Sequence, residues 1–322
     1  MSKWILVLVC LLGSLEAASL YTSQDRTHMA ASIKECLSEA QESILILTFS
    51  LSDPDIIQLI NQKAVEGVAV TVVIDKAHLG EILKDKAPSL EIVSRHSGEG
   101  HLHHKILIVD HKDIWVGSAN FTTSAYTTQE NMMVRFESRE LAEFLYQEAD
   151  VFRGGSLRSG HGPIPIALED QELFFCLLPH DGFPPKPIEK SINEKSKQLL
   201  LEKIKSAKRS LKIAMMVWTN YDLTQAVIAA YKRGVDVQIV SQDFGGTIPT
   251  LISNGLKVTA NPKFSLMHNK LMCIDGTTLV NGSANWSQSS FTRSDESFVI
   301  LEPLTEEQNE AFENYWSYLT WR

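Results

Sequence analysis

His103-His104-Lys105-Ile106-Leu107-Ile108-Val109-Asp110, followed by Gly117-Ser118-Ala119-Asn120, is written a second time as His268-Asn269-Lys270-Leu271-Met272-Cys273-Ile274-Asp275 and Gly282-Ser283-Ala284-Asn285. Each matched residue lies 165 positions after its counterpart (268 − 103, 270 − 105, 275 − 110, 285 − 120), so the spacing inside the two copies is identical. One HxK is a common accident. The doubled pattern is not, and it predicts a chain made of two similar halves.

The duplication runs outward from the motif. Residues 43–50 and 210–217 read as buried strands, each preceded by an amphipathic helical stretch at 27–41 and 193–208. Residues 55–67 and 222–234 follow, both opening on an acidic residue and closing on glycine, which are helix start and stop signals. Residues 68–75 and 235–240 are rich in β-branched side chains and read as strands. The motif itself should be carried by strands at 105–110 and 270–275, paired in a hairpin with 114–117 and 278–282. A further strand (131–136, 297–301) and a closing helix (139–152, 305–318) complete each unit. Strand and helix in alternation argue for an α/β fold. The expected division is a first half at 19–153, a linker at 154–170 with Gly- and Pro-rich composition, and a second half at 171–322. Residues 173–178 read as a strand, and 182–187 as a loop inside the second half. A period this long is a duplicated domain rather than a solenoid.

With 322 residues, 44% of them hydrophobic, the chain can bury a large core. Its formal charge of −9 weighs against a bulk polyanion binder, although a local basic groove is compatible with it. Residues 1–18 have the short apolar run and small-residue end of a signal peptide, which would make the protein exported, or membrane-anchored if left uncleaved. Cys36, Cys176 and Cys273 lack metal-ligand spacing and read as buried hydrophobic residues.

Cleaving a phosphodiester requires a nucleophile, a proton donor for the leaving oxygen, and hydrogen-bond donors around the nonbridging oxygens. An imidazole titrates near neutral pH, so two histidines can divide the first two tasks. Lys105 and Lys270 would hold the phosphoryl oxygens by charge, and the amides of Asn120 and Asn285 would add hydrogen bonds. A fixed partner at one ring nitrogen selects the tautomer at the other. Glu130 and Glu296, 27 and 28 residues after their histidines, are the candidates to reach back as that partner, with Asp295 competing in the second half. No step of this chemistry needs a cofactor or a metal.

These residues resemble the phospholipase D superfamily, whose signature HxKxxxxD followed by GSxxN is matched in both copies, with the repeat covering nearly the whole chain after residue 18. The resemblance implies two α/β sandwich halves related by a pseudo-twofold axis, one site at their interface, and a phosphohistidine intermediate. It implies His103 as nucleophile and His268 as acid/base, an assignment that the symmetry of the motifs leaves reversible. Asp110 and Asp275 are implied to be structural or to support the site from behind. Ser118 and Ser283 are secondary candidates for phosphate contact, and Gly117 and Gly282 for close approach of the backbone to phosphate. The expected activity is hydrolysis of glycerophospholipids to phosphatidate and a free head group, with a membrane surface as the partner and a single chain sufficient for the site. The alternatives are a metal-independent DNA or RNA endonuclease of the same superfamily, and phosphatidyl transfer of the cardiolipin synthase kind.

His101 and His104 read as rim or packing residues rather than a metal tract, and His111 as part of the hairpin turn. Residues 186–212 carry nine basic side chains against three acidic ones and read chiefly as a solvated helix face. Trp115, Trp218 and Trp286 are core or site-wall residues, with Trp286 the best placed to line a channel. The aromatic cluster at 315–321 reads as packing.

Overall fold

Ile44, Leu45, Ile46 and Leu47 are all buried, yet they serve two different cores. Successive side chains of a strand point to opposite faces, so Ile44 and Ile46 pack under the helices of the first half while Leu45 and Leu47 pack toward the second half. Strand 105–109 alternates in the same way, with Leu107 and Val109 facing outward and Ile106 and Ile108 inward. In the second half Met272 and Ile274 face outward, and Leu271 and Cys273 inward. A strand buried on both faces reads as an unbroken apolar run, which is why these segments stand out in the sequence.

The computed structural model describes residues 17–84, 86–95, 100–154, 162–179, 186–242, 245–261 and 266–321. Its strands in the first half are β1 (Ser19–Thr22), β2 (Ser43–Thr48), β3 (Ala69–Ile74), β4 (Glu91–Ser94), β5 (Lys105–Val109), β6 (Asp113–Gly117), β7 (Gln129–Glu130) and β8 (Met132–Glu137). Those of the second are β9 (Ile164–Leu168), β10 (Gln171–Leu178), β11 (Ser210–Met215), β12 (Asp236–Ser241), β13 (Val258–Ala260), β14 (Leu266–Met267), β15 (Lys270–Ile274), β16 (Thr278–Gly282) and β17 (Glu296–Glu302).

The two large sheets have orders β4-β3-β2-β5-β6-β8-β1 and β13-β12-β11-β15-β16-β17-β10-β9. Position by position they are the same sheet, with β9 added at one edge. This is the expected α/β architecture in two similar halves. Their inner faces share a single apolar core that includes Leu45, Ile106 and Val134 from one half and Leu271, Leu279 and Val299 from the other. Helices Pro54–Glu66 and Tyr221–Lys232 lie at equivalent places, and the first ends on Gly67 at φ 98°, a left-handed cap that favours glycine.

Two expectations need adjustment, and a third lies mostly outside the described residues. The linker expected at 154–170 contains β9, which hydrogen-bonds to β10, so the second half begins inside it; residues 155–161 lie outside the described residues, as does most of the loop at 182–187. Of the segment expected as a signal peptide, residues 1–16 also lie outside. Its last residue, Ala18, is buried, its N–H donating to Gln171 Oε1 at 3.3 Å and its carbonyl accepting from Gln308 Nε2 at 2.5 Å, so the packed core includes Ala18. Gly117 and Gly282 are needed for packing between strands rather than for approach to phosphate. A Cβ there would stand 2.2 Å from the Met132 carbonyl oxygen and 2.4 Å from that of Ser297, in the neighbouring strand.

Candidate active site

Each histidine sits one residue beyond a short bridge between the halves. Met267 pairs with Glu130 in the two-stranded sheet β14–β7, and Leu102 pairs with Asp295 across the equivalent seam. The next backbone N–H on each side continues the ladder: His268 donates to the Glu130 carbonyl at 3.0 Å and His103 to that of Asp295 at 2.8 Å. This exchange puts each imidazole beside the other half's chain. It therefore decides which residue orients which ring.

Glu296 Oε2 lies 2.8 Å from His103 Nδ1, so the second half's carboxylate holds the first half's histidine. Glu296 also accepts from Ser283 Oγ at 2.6 Å and from Ser290 Oγ at 2.8 Å. On the other side, His268 Nδ1 lies 2.9 Å from Asn131 Oδ1, which accepts from Ser118 Oγ at 2.9 Å. The sequence expectation that Glu130 would orient a histidine is corrected. Its carboxylate is taken by Arg26 at 2.7 Å, by the Ser23 hydroxyl at 2.5 Å and by Tyr318 Oη at 3.2 Å, a tether between the first helix and the last. Asp295, the competing candidate, pairs with Arg95 at 2.8 Å.

Asn131 is the residue that sequence reasoning missed. The signal was present: subtracting the repeat offset from Glu296 gives 131 (296 − 165), while Glu130 matches Asp295 (295 − 165). Aligning the two glutamates by residue type shifted the register by one, and in a strand a shift of one reverses the facing of every side chain.

Lys105 is fully buried and Lys270 nearly so. Their ammonium groups turn back on the carbonyls of their own histidines, Lys105 Nζ to His103 O at 2.5 Å and Lys270 Nζ to His268 O at 2.6 Å. Lys105 also lies over the Phe49 ring, 5.5 Å from its centroid, whereas Lys270 rests on Met216 Sδ at 3.6 Å. Burial pulls Lys105 well below the usual ammonium range and brings Lys270 down to about 7, in each case against the opposing pull of Glu296. Burial also lifts the Glu296 carboxyl to about 6, with Lys105 opposing. Both imidazoles are held well below their ordinary value, first by burial and then by the charges of Lys105 and Lys270. His268 also feels the charge of His103, and His103 that of His101, while the Ser283 backbone serves His103 as the Ser118 backbone serves His268. Two histidines, two lysines and one carboxylate thus form one desolvated cluster at the seam.

Asn285 anchors its Oδ1 on the Val217 N–H at 3.2 Å, which keeps its NH2 donors for another acceptor. Asn120 is buried at the matching place, and its Oδ1 has no partner among the described residues. Asp110 and Asp275 stand apart from the rings: each sits at positive φ in the hairpin turn and caps the start of a strand, accepting from backbone N–H groups at 41–43 and 208–210. Those hydrogen bonds hold both carboxyls below the usual range against the effect of burial. Ser118 and Ser283 contact the orienting residues, so their place is behind the imidazoles rather than at a phosphate. His104 is buried against Ser297 Oγ at 3.2 Å, His101 is exposed at the rim, and His111 in the turn lies tilted against Tyr146. Trp286 is buried edge-on against Trp218 and backs Asn285 instead of lining a channel. Tyr315 is a packing residue with a second task, its hydroxyl donating to the Asn131 carbonyl at 3.1 Å.

The family described as cardiolipin synthase, PLD-like domain, matches the chain twice, at residues 33–151 and 200–316. A mitochondrial cardiolipin hydrolase of Danio rerio is 29% identical over 161 residues, 45% of this chain and 69% of the relative. A phospholipase D of Rickettsia felis is 30% identical over 118 residues, 34% of this chain and 57% of the relative. Among solved structures, a phosphatidylserine synthase of Haemophilus influenzae aligns over 94% of this chain and 85% of its own with a TM-score of 0.66 at 14% identity. A polyphosphate kinase of Porphyromonas gingivalis aligns over 94% of this chain with a TM-score of 0.69 at 12% identity, and the aligned part is 47% of that kinase chain. At these identities the structures speak to the fold alone.

Proposed function

This chain belongs to the phospholipase D superfamily, and from that premise we propose that it is a phosphodiesterase that hydrolyses glycerophospholipids to phosphatidate and a head-group alcohol. The observation that carries the reading is the pair of imidazoles at the seam, each gripped at Nδ1 by a residue of the opposite half, with a buried lysine beside each. With Nδ1 occupied, Nε2 of each ring is the atom left for chemistry.

One Nε2 attacks phosphorus as the P–O bond to the head group breaks, and the leaving oxygen takes the Nε2 proton of the other ring, which enters the step as an imidazolium stabilised by the bound diester anion. That second ring then removes a proton from water, whose oxygen attacks phosphorus, and the P–N bond breaks to free the first ring. Lys105, Lys270, Asn120 and Asn285 meet the charge that builds on the nonbridging oxygens. A diester anion also relieves the crowding of positive charge, because its charge offsets the repulsion and desolvation that hold the lysines below their usual range.

Lipid is preferred over polynucleotide because of the net charge of −9 and the lipid-acting names of the relatives above. In the basic run at 186–212, Lys190 is answered by Glu194, Lys197 by Asp222, Lys203 by Glu302 and Lys212 by Glu313. The test is choline or ethanolamine release from phospholipid vesicles by wild-type protein and by His103→Ala. Release that survives the substitution sinks the mechanism. Chelator-resistant cleavage of single-stranded DNA at low salt, without head-group release, would replace the lipid with a polynucleotide.

A further inference from the structure

The two halves of the site differ in the residue that holds each histidine, and a second pair of positions reinforces that difference. The amide of Asn131 stands where the repeat places the carboxylate of Glu296 (296 − 165). Asn131 Nδ2 donates to the Ala125 carbonyl at 3.1 Å. A carbonyl oxygen only accepts, so the amide's nitrogen end must face Ala125 and its oxygen end must face His268. That oxygen already accepts from Ser118, so His268 Nδ1 has to be the donor and must carry its proton there. The counterpart of Ala125 is Ser290 (290 − 165), whose hydroxyl donates to Glu296 Oε1 at 2.8 Å. One half therefore supplies a donor and holds a carboxylate. The other supplies an acceptor and holds an amide, and an ionised carboxylate at position 131 would set oxygen against oxygen.

We propose that Asn131, seated by the Ala125 carbonyl, is a positioning residue: it holds His268 with a hydrogen on Nδ1 beside a neutral partner, which fits that ring to the proton-carrying role that the resemblance implies for it and leaves the phosphoryl group to His103. This rests on the phosphodiesterase reading above and gives the implied division of roles a physical cause in this chain. A ring bonded to phosphorus through Nε2 while Nδ1 keeps its hydrogen is a cation. Glu296 answers that charge at His103, whereas a neutral amide at His268 does not. The proton carrier has the opposite need. It must give its proton to the leaving oxygen and later take one from water, and an amide partner leaves it the stronger acid of the two.

The experiment is turnover of aryl phosphodiesters with leaving phenols of graded acidity, quenched in alkaline denaturant because the P–N bond hydrolyses in acid, followed by peptide mass spectrometry at alkaline pH to locate the phosphoryl group. Wild-type protein should carry it on His103 alone, a measurement that needs no variant to fold. Asn131→Leu should slow turnover roughly 10- to 100-fold, part of what positioned proton transfer contributes, and should steepen the dependence on leaving-group acidity. The double variant A125S/N131D, which copies the donor and carboxylate of the second half, should yield phosphoryl on His268 as well. Phosphoryl on His268 in the wild type overturns the proposal, as does an unchanged leaving-group dependence in Asn131→Leu. A folded double variant that labels only His103 also overturns it. No phosphohistidine on either ring with any diester would overturn the phosphodiesterase reading and this assignment together.

Discussion

Replacing Glu296 with glutamine removes one charge while keeping the outline of the side chain. A glutamine keeps its oxygen for His103 Nδ1 and can direct its amide N–H to the Ser290 hydroxyl, so the ring's tautomer can survive. What is lost is the charge that answers a phosphorylated imidazole. A hydrogen bond to a charged group contributes about 1.5–3 kcal/mol, which converts to roughly a 10- to 150-fold fall in kcat. Stability should move the other way. The wild-type carboxyl is held at about 6 instead of 4.5, so the folded state binds that proton more tightly than the unfolded chain does. The native fold therefore loses stability as pH rises through the window from about 4.5 to 6, by on the order of 2 kcal/mol. Glu296→Gln has no such proton to lose, so its unfolding midpoint relative to wild type should be higher at pH 7 than at pH 4.5. Head-group release under single-turnover conditions and thermal melts at the two pH values read both effects. A variant that keeps more than half of the wild-type kcat would refute the role of the carboxylate at His103. A gap between the melts that does not grow with pH would refute its buried, proton-holding state.

Glu130→Gln separates tether from catalyst: because its carboxylate meets Arg26, Ser23 and Tyr318 rather than an imidazole, kcat should stay within about twofold while stability falls by about 3 kcal/mol, as expected when a buried pair is broken. A large fall in kcat with an unchanged melt would return Glu130 to the site. Lys270, brought to about 7 by burial, should lose its ammonium as pH rises past that value, so kcat/KM for a diester should decline on the alkaline side of about 7, and the decline should vanish in Lys270→Ala along with most of the activity. Gly117→Ala drives a Cβ to 2.2 Å from the Met132 carbonyl oxygen and should cost at least about 3 kcal/mol of stability, read as denaturant midpoint, through a forced separation of β6 from β8.

Much of this molecule was legible in one dimension because its design is repetition. The buried strands declared themselves as apolar runs, since both of their faces are covered, and the helices declared themselves by an acidic start and a glycine stop, as at Asp55 and Gly67. The equal spacing of His103, Lys105 and Asn120 with His268, Lys270 and Asn285 marked the candidate site itself. Where the reading failed, it failed on partners. Glu130 matched Glu296 in residue type, and nothing local to either position distinguishes a carboxylate tied to arginine from one tied to imidazole.

The sequence by itself determined that there are two alike α/β halves, which strands are buried, and which histidines, lysines and asparagines belong together, because local pattern and repeat spacing are properties of the chain. Only the tertiary structure decided that each ring is held from across the seam, by Glu296 for His103 and by Asn131 for His268. Those contacts join residues 193 and 137 positions apart through ladders that form only when the halves dock. No periodicity along the chain encodes which half a side chain will face once its strand has crossed to the other.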